Sequence, residues 1–80
     1  MNNLIQKGIY EHYKGNQYEV IDIALNSETE EKMVIYRALY GNFDLWVRPL
    51  QMFLELIEIF NTQIPRFKLI SETDSKKIQS

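Results

Sequence analysis

Two runs near the start of the chain, Gly8–Tyr13 and Gln17–Leu25, alternate apolar and polar side chains and are rich in Ile, Tyr and Val. A period of two predicts half-buried β-strands, and the Lys14-Gly15-Asn16 between them predicts a hairpin loop. A two-residue Gly15-Asn16 loop would set Glu11 opposite Val20 and His12 opposite Glu19. A three-residue loop with Asn16 left-handed instead pairs Tyr13 with Gln17, His12 with Tyr18, Glu11 with Glu19 and Tyr10 with Val20. The second register makes one aromatic-apolar face and one polar face, with Ile9 and Ile21 as misfits on the polar side. Register follows the face that must be buried, so the three-residue loop is expected. Tyr10 and Tyr18 then point inward, and Glu11 and Glu19 outward.

The charged stretch Asn26–Lys32 reads as a turn, Met33–Leu39 as a third strand, Gly41-Asn42 as the next turn and Leu45–Arg48 as a fourth strand. An even register between these strands pairs Tyr36 with Arg48, Ala38 with Trp46 and Leu39 with Leu45. An odd one would set Arg37 against Arg48, two like charges face to face. The even register puts Tyr36, Trp46 and Arg48 on one face with Tyr40 beside them at the turn. It gathers Leu39, Leu45 and Val47 on the other, which is the expected core face, and leaves Arg37 there to find a partner.

Pro49 stops the fourth strand, because proline lacks the N–H that a ladder needs and suits a first helical turn. Leu50, Phe53, Leu54 and Ile57 follow at helical spacing, whereas Leu56–Phe60 alternates like a strand. One helical turn at 49–54 and a final hairpin are expected, with its turn at Asn61-Thr62 and a strand over Pro65–Ile70. Residues 1–6 read as a leader and 7–70 as a single small β domain. Residues 71–80 (SETDSKKIQS) hold one apolar side chain and read as a disordered polar tail. Short strands, tight turns and one helical turn point to a mostly β protein, a small, strongly bent antiparallel barrel of SH3-like type. An open sheet packed on a 49–60 helix is the alternative.

Composition narrows the function classes. The 80 residues are 45% hydrophobic and 25% charged, as in ordinary globular domains. A net charge of −2 argues against general nucleic-acid binding and against attraction to an anionic membrane. No apolar run approaches the ~20 residues of a membrane span, and no basic-then-apolar leader opens the sequence. The absence of cysteine removes disulfides, thiol chemistry and thiolate metal sites. A cytoplasmic location is the expectation.

Chemistry-bearing groups are sparse. His12 is the sole histidine, so a metal site would lack partners, and a strand imidazole stacked on Tyr18 is the plainer reading. Glu28, Glu30 and Glu31 stand in a charged turn without the D-x-[DN]-x-[DN]-G pattern of a calcium loop. Gly8, Gly15 and Gly41 lie too far apart to cradle a phosphate, and no nucleophile stands beside a base. No catalytic residue, metal site or cofactor is therefore expected. The ten aromatic residues are more telling. Tyr36, Tyr40 and Trp46 flank one turn together with Arg48, and aromatics interleaved with arginine suit stacking and anion contacts. The competing reading is that a thin core simply needs large side chains.

The combined pattern carries a resemblance. Gly8-x-Tyr10-x-His12-Tyr13-Lys14-Gly15-x-x-Tyr18-x-Val20, Ser27-Glu28-Thr29, Tyr36-Arg37-Ala38-Leu39-Tyr40, Leu45-Trp46-Val47-Arg48-Pro49-x-x-Met52-Phe53 and Pro65-Arg66-Phe67 resemble the bacterial domain-of-unknown-function family 1653. The likeness spans roughly residues 8–70. It implies one compact domain of a small cytoplasmic protein, and no settled activity or catalytic residues. The turn residues Asn42-Phe43-Asp44 depart from it, because Phe43 is unusually apolar for a tip. The leading expectation is a non-catalytic binding or accessory module. Its surface of Tyr36, Tyr40, Trp46 and Arg48 would take a peptide, a nucleic acid strand or a small anionic ligand. The alternatives are a small enzyme or sensor using His12 in an anion-binding pocket, and a structural or oligomerising domain.

Overall fold

The computed structural model describes residues 5–72. Seven strands and one helical turn follow in the order β1 (Gly8–His12), β2 (Gln17–Leu25), β3 (Lys32–Ala38), β4 (Leu45–Pro49), α1 (Leu50–Phe53), β5 (Leu56–Ile59), β6 (Thr62–Pro65) and β7 (Phe67–Glu72). Five of the strands form an antiparallel sheet ordered β4-β3-β2-β1-β7, and β5 and β6 make a separate hairpin. The fold is mostly β, as the alternation predicts. The expected SH3-like barrel is corrected to an open sheet, because among the described residues β4 and β7 each pair on one side only. The sheet is nonetheless strongly curled. Its two edge strands would stand ~19 Å apart if flat, yet the Arg48 guanidinium of β4 lies 5.6 Å from the Phe67 ring of β7.

Within the first hairpin the loop has the expected length but sits one residue earlier. The N–H of His12 donates to the Asn16 carbonyl (2.8 Å) and that of Gly15 to the His12 carbonyl (2.7 Å), leaving Tyr13-Lys14-Gly15 as the loop. Gly15, at φ 109°, takes the positive-φ position expected of Asn16. Partners therefore shift by two: Tyr10 faces Tyr18, and Gly8 faces Val20. A shift of two preserves the faces, so Tyr10 is buried as expected. The misfit of Ile21 has a structural cause. The β2–β3 register slips between Val20 and Asp22, a bulge that leaves Ile21 on the surface and returns Ile23 to the core beside Val34.

Between β3 and β4 the register is also even and also displaced by two: Tyr36 faces Trp46, Val34 faces Arg48 and Arg37 faces Leu45. The expectation that Leu39, Leu45 and Val47 form the core face is wrong. Leu45 and Val47 are 54% and 59% exposed, and the buried face carries Val34, Tyr36 and Ala38. The cover explains this choice. Pro49 (φ −55°, ψ 140°) turns the chain into α1, which lays Leu50 and Phe53 onto the aromatic face. Phe53 stacks on Phe67 with centroids 4.1 Å apart and planes 4° apart, and meets Tyr10 and Tyr36 edge-on. Tyr10, Val20, Val34, Tyr36, Leu50, Phe53 and Phe67 make the core.

The final hairpin turns at Phe60-Asn61, not Asn61-Thr62, and Arg66 separates β6 from β7. Arg66 ties the base of the hairpin, its N–H donating to the Glu55 carbonyl and its guanidinium to the Glu55 carboxylate (2.8 Å). β7 then runs back along β1 to Glu72, two residues beyond the expected end of the domain. At that edge Gly8 lies so close to β7 that an added Cβ would strike the Ser71 carbonyl, so only glycine fits. Residues 73–80 of the tail and 1–4 of the leader lie outside the described residues.

Candidate functional site

Tyr36, Tyr40, Trp46 and Arg48 come together as expected, and Tyr18 joins them to line one shallow cleft of about 230 Å³. The pairing of strands builds it. Tyr18 on β2 lies opposite the small Ala38 on β3, and Tyr36 on β3 lies opposite Trp46 on β4. Their side chains thus share the inner face of the sheet near the β3–β4 turn. Tyr36 is only 5% exposed and serves as the floor, whereas Trp46 is 52% exposed at the rim. Tyr18 stands edge-on to Tyr36 (5.4 Å) and to Tyr40 (5.5 Å).

Polar contacts fix this aromatic wall. The hydroxyls of Tyr18 and Tyr40 hydrogen-bond at 2.8 Å. Burial first, and then the bond and charge of Tyr40, push the Tyr18 phenol up to about 12. Nε of Arg48 donates to the Tyr36 hydroxyl at 3.3 Å, and its guanidinium lies over Phe67. No carboxylate pairs with Arg48 among the described residues, where the ion pair is Arg66–Glu55. A guanidinium held by a phenol and a ring face keeps its remaining N–H groups for a ligand. Arg37, on the other face of β3, donates to the Phe43 carbonyl (2.8 Å) and holds the β3–β4 turn. Phe43, at φ 57°, bends that turn while its side chain stays half exposed.

His12 belongs to a different concavity of about 460 Å³, lined by Glu11, His12, Tyr13, Ile64, Pro65 and Lys68. Its Nδ1 accepts the Lys14 N–H (3.1 Å), and its ring meets Phe67 edge-on at 5.0 Å, closer than the expected Tyr18 at 6.5 Å. Burial, then the positive charges of Arg66, Arg48 and Lys14, hold its pKa below 6.5. The imidazole is therefore neutral near pH 7. Among the described residues no three His, Asp or Glu side chains gather as a metal site would require. Nor is any described helix long and apolar enough to cross a membrane.

Sequence reasoning left out Tyr18 as a cleft residue and read Phe60 as the end of a strand instead of as an exposed turn residue. Phe60 is 95% exposed at the tip of the β5–β6 hairpin, and both it (φ 51°) and Asn61 (φ 63°) have positive φ. The signal for Tyr18 was an inward tyrosine two strands from Trp46. For Phe60 the signal was an apolar residue just before the Asn61 turn.

The model of a family described as a protein of unknown function (DUF1653) matches residues 8–69. The chain is also similar to the crystal structure of a DUF1653 protein from Bordetella bronchiseptica. That likeness has a TM-score of 0.77 and 28% sequence identity, and covers 90% of this chain and 95% of that one. No curated protein matches the chain. With the motif blocks from Gly8 to Phe67 inside the matched span and the same fold in a second member, the chain belongs to the DUF1653 family.

Proposed function

We propose that this protein is a non-catalytic binding module whose Tyr18–Tyr36–Tyr40–Trp46–Arg48 cleft takes a small planar ligand bearing a carboxylate or phosphate. One observation carries the reading: a guanidinium with no carboxylate partner among the described residues stands beside a half-exposed indole at the rim of an aromatic cleft. An indole face is worth little to a charged ligand alone, and a lone guanidinium is well solvated. Together they favour a group that stacks and carries negative charge. At about 230 Å³ the cleft suits one ring and its acid group better than a longer chain of ligand. A cytoplasmic setting belongs to the same reading, in keeping with the lack of cysteine.

Titration with benzoate and phenyl phosphate, followed by the fluorescence of the single tryptophan, tests it. Saturable change in Trp46 emission, weakened about tenfold or more in Arg48→Ala, supports the reading. Emission that neither ligand alters, or a response unchanged by Arg48→Ala, overturns it.

A second reading rests on the larger concavity beside His12. Four cationic side chains, Lys14, Arg48, Arg66 and Lys68, surround or line that region, which would favour an anion next to a neutral imidazole. Loss of anion binding in His12→Gln and Lys68→Ala, with Trp46→Phe unaffected, would favour it over the cleft.

A further inference from the structure

The outer edge of β4 is unlike a protected sheet edge. Leu45, Trp46 and Val47 are consecutive and each more than half exposed, and β4 pairs only with β3 among the described residues. The opposite edge, β7, is blunted by a register slip facing Ile9 and Tyr10 and by Lys68, devices that discourage pairing. The β4 edge also has open hydrogen bonds at known residues. The Ala38 N–H donates to the Asp44 carbonyl (2.9 Å), so Asp44, Trp46 and Arg48 turn their main-chain groups toward β3. Antiparallel ladders alternate, and the N–H and C=O groups of Leu45 and Val47 therefore point outward.

We propose that this edge pairs antiparallel with β4 of a second copy, Leu45 opposite Val47 of the second copy and Trp46 opposite its own counterpart. Each Leu45 and Val47 then both donates and accepts, closing four main-chain hydrogen bonds across a twofold axis. The ladder ends where it should. One step further lies Pro49, which has no N–H, opposite Phe43, whose N–H already bonds the Tyr40 carbonyl. Side chains agree with this register and no other. Asp44, Trp46 and Arg48 share one face, so Asp44 of each copy stands opposite Arg48 of the other, flanking a pair of indoles. On the other face Leu45 meets Val47. The carboxylate that Arg48 lacks among the described residues is thus supplied by Asp44 of the second copy.

The proposal goes beyond the ligand reading but shares one group with it. A bound anion and Asp44 of the second copy compete for the same guanidinium, and Asp44 lines no part of the cleft. Sedimentation equilibrium from about 10 μM to about 1 mM tests self-association, the contact being short and the dimer weak. The expected result is a rise from the 9.6 kDa of one chain toward twice that mass. Asp44→Arg puts like charges together at both ends and should weaken association about tenfold or more, while the D44R/R48D exchange restores it to within a few-fold. Val47→Pro removes one outward N–H and should weaken it as well, with circular dichroism reporting the fold. D44R should keep its Trp46 response to benzoate, which separates failure of the dimer from failure of the ligand site. A chain that stays monomeric at 1 mM, or a dimer indifferent to D44R, overturns the proposal.

Discussion

The hydroxyls of Tyr18 and Tyr40, 22 residues apart in sequence, lie 2.8 Å apart and close the cleft on the side away from Trp46. The contact ties β2 to the β3–β4 turn. It also makes the Tyr18 phenol hard to ionise, because a phenolate there would be partly desolvated and next to a second phenol.

A group whose folded pKa is raised contributes stability in full below its unfolded value and loses it as pH rises through the folded value. For Tyr18 that window runs from about 10.0 to about 12. Stability should fall across it, and Tyr40→Phe, which removes both the bond and the second charge, should narrow it by letting Tyr18 ionise earlier. Cζ shifts of labelled tyrosine against pH check this. Titration of Tyr18 together with the exposed tyrosines in the unaltered protein would contradict it.

His12 works in the opposite direction. Burial and the nearby Arg66, Arg48 and Lys14 lower its folded pKa below 6.5, so its contribution is complete above that value and is lost as pH falls through the folded pKa. Urea unfolding should show a decline from pH 7.5 to pH 5 that shrinks in His12→Asn, an uncharged acceptor for the Lys14 N–H. An equal decline in both proteins would place the acid-sensitive group elsewhere.

The β5–β6 hairpin holds a local strain. A two-residue turn with positive φ at both positions favours Asn-Gly, and Phe60 occupies the first of them with almost no contact to offset it. Phe60→Asn with Asn61→Gly should stabilise the domain by ~1 kcal/mol, a rise in melting temperature of about 4–8 °C. A fall in melting temperature would mean that Phe60 packs against something.

Parity was legible in the sequence, and exact pairing was not. Alternation together with an even register assigns Tyr36, Trp46 and Arg48 to one face, so the cleft could be read without the correct partners. Pairing depends on which residue accepts positive φ, and Gly15 displaced Asn16 from that role. Which face is buried depends on what covers it. α1 is only four residues long, and nothing in Leu50–Phe53 announces that it folds over the aromatics instead of over Leu45 and Val47. The choice between a closed barrel and the open sheet could not be read for a similar reason. β7 returns to β1 through register details around Gly8 and Tyr10, and strand count alone does not separate that from a closed barrel.

In the proposed function Trp46 and Arg48 face the ligand from the rim of the cleft. Heteronuclear NMR of labelled protein titrated with phenyl phosphate tests it most directly, because the Trp46 indole N–H and the Arg48 Nε–H each give a resolved signal. These two signals should move first and together, with Tyr18 and Tyr40 following and the His12 concavity of Tyr13, Ile64 and Lys68 unmoved. Shifts centred on His12 and Lys68, with Trp46 and Arg48 stationary, would contradict it.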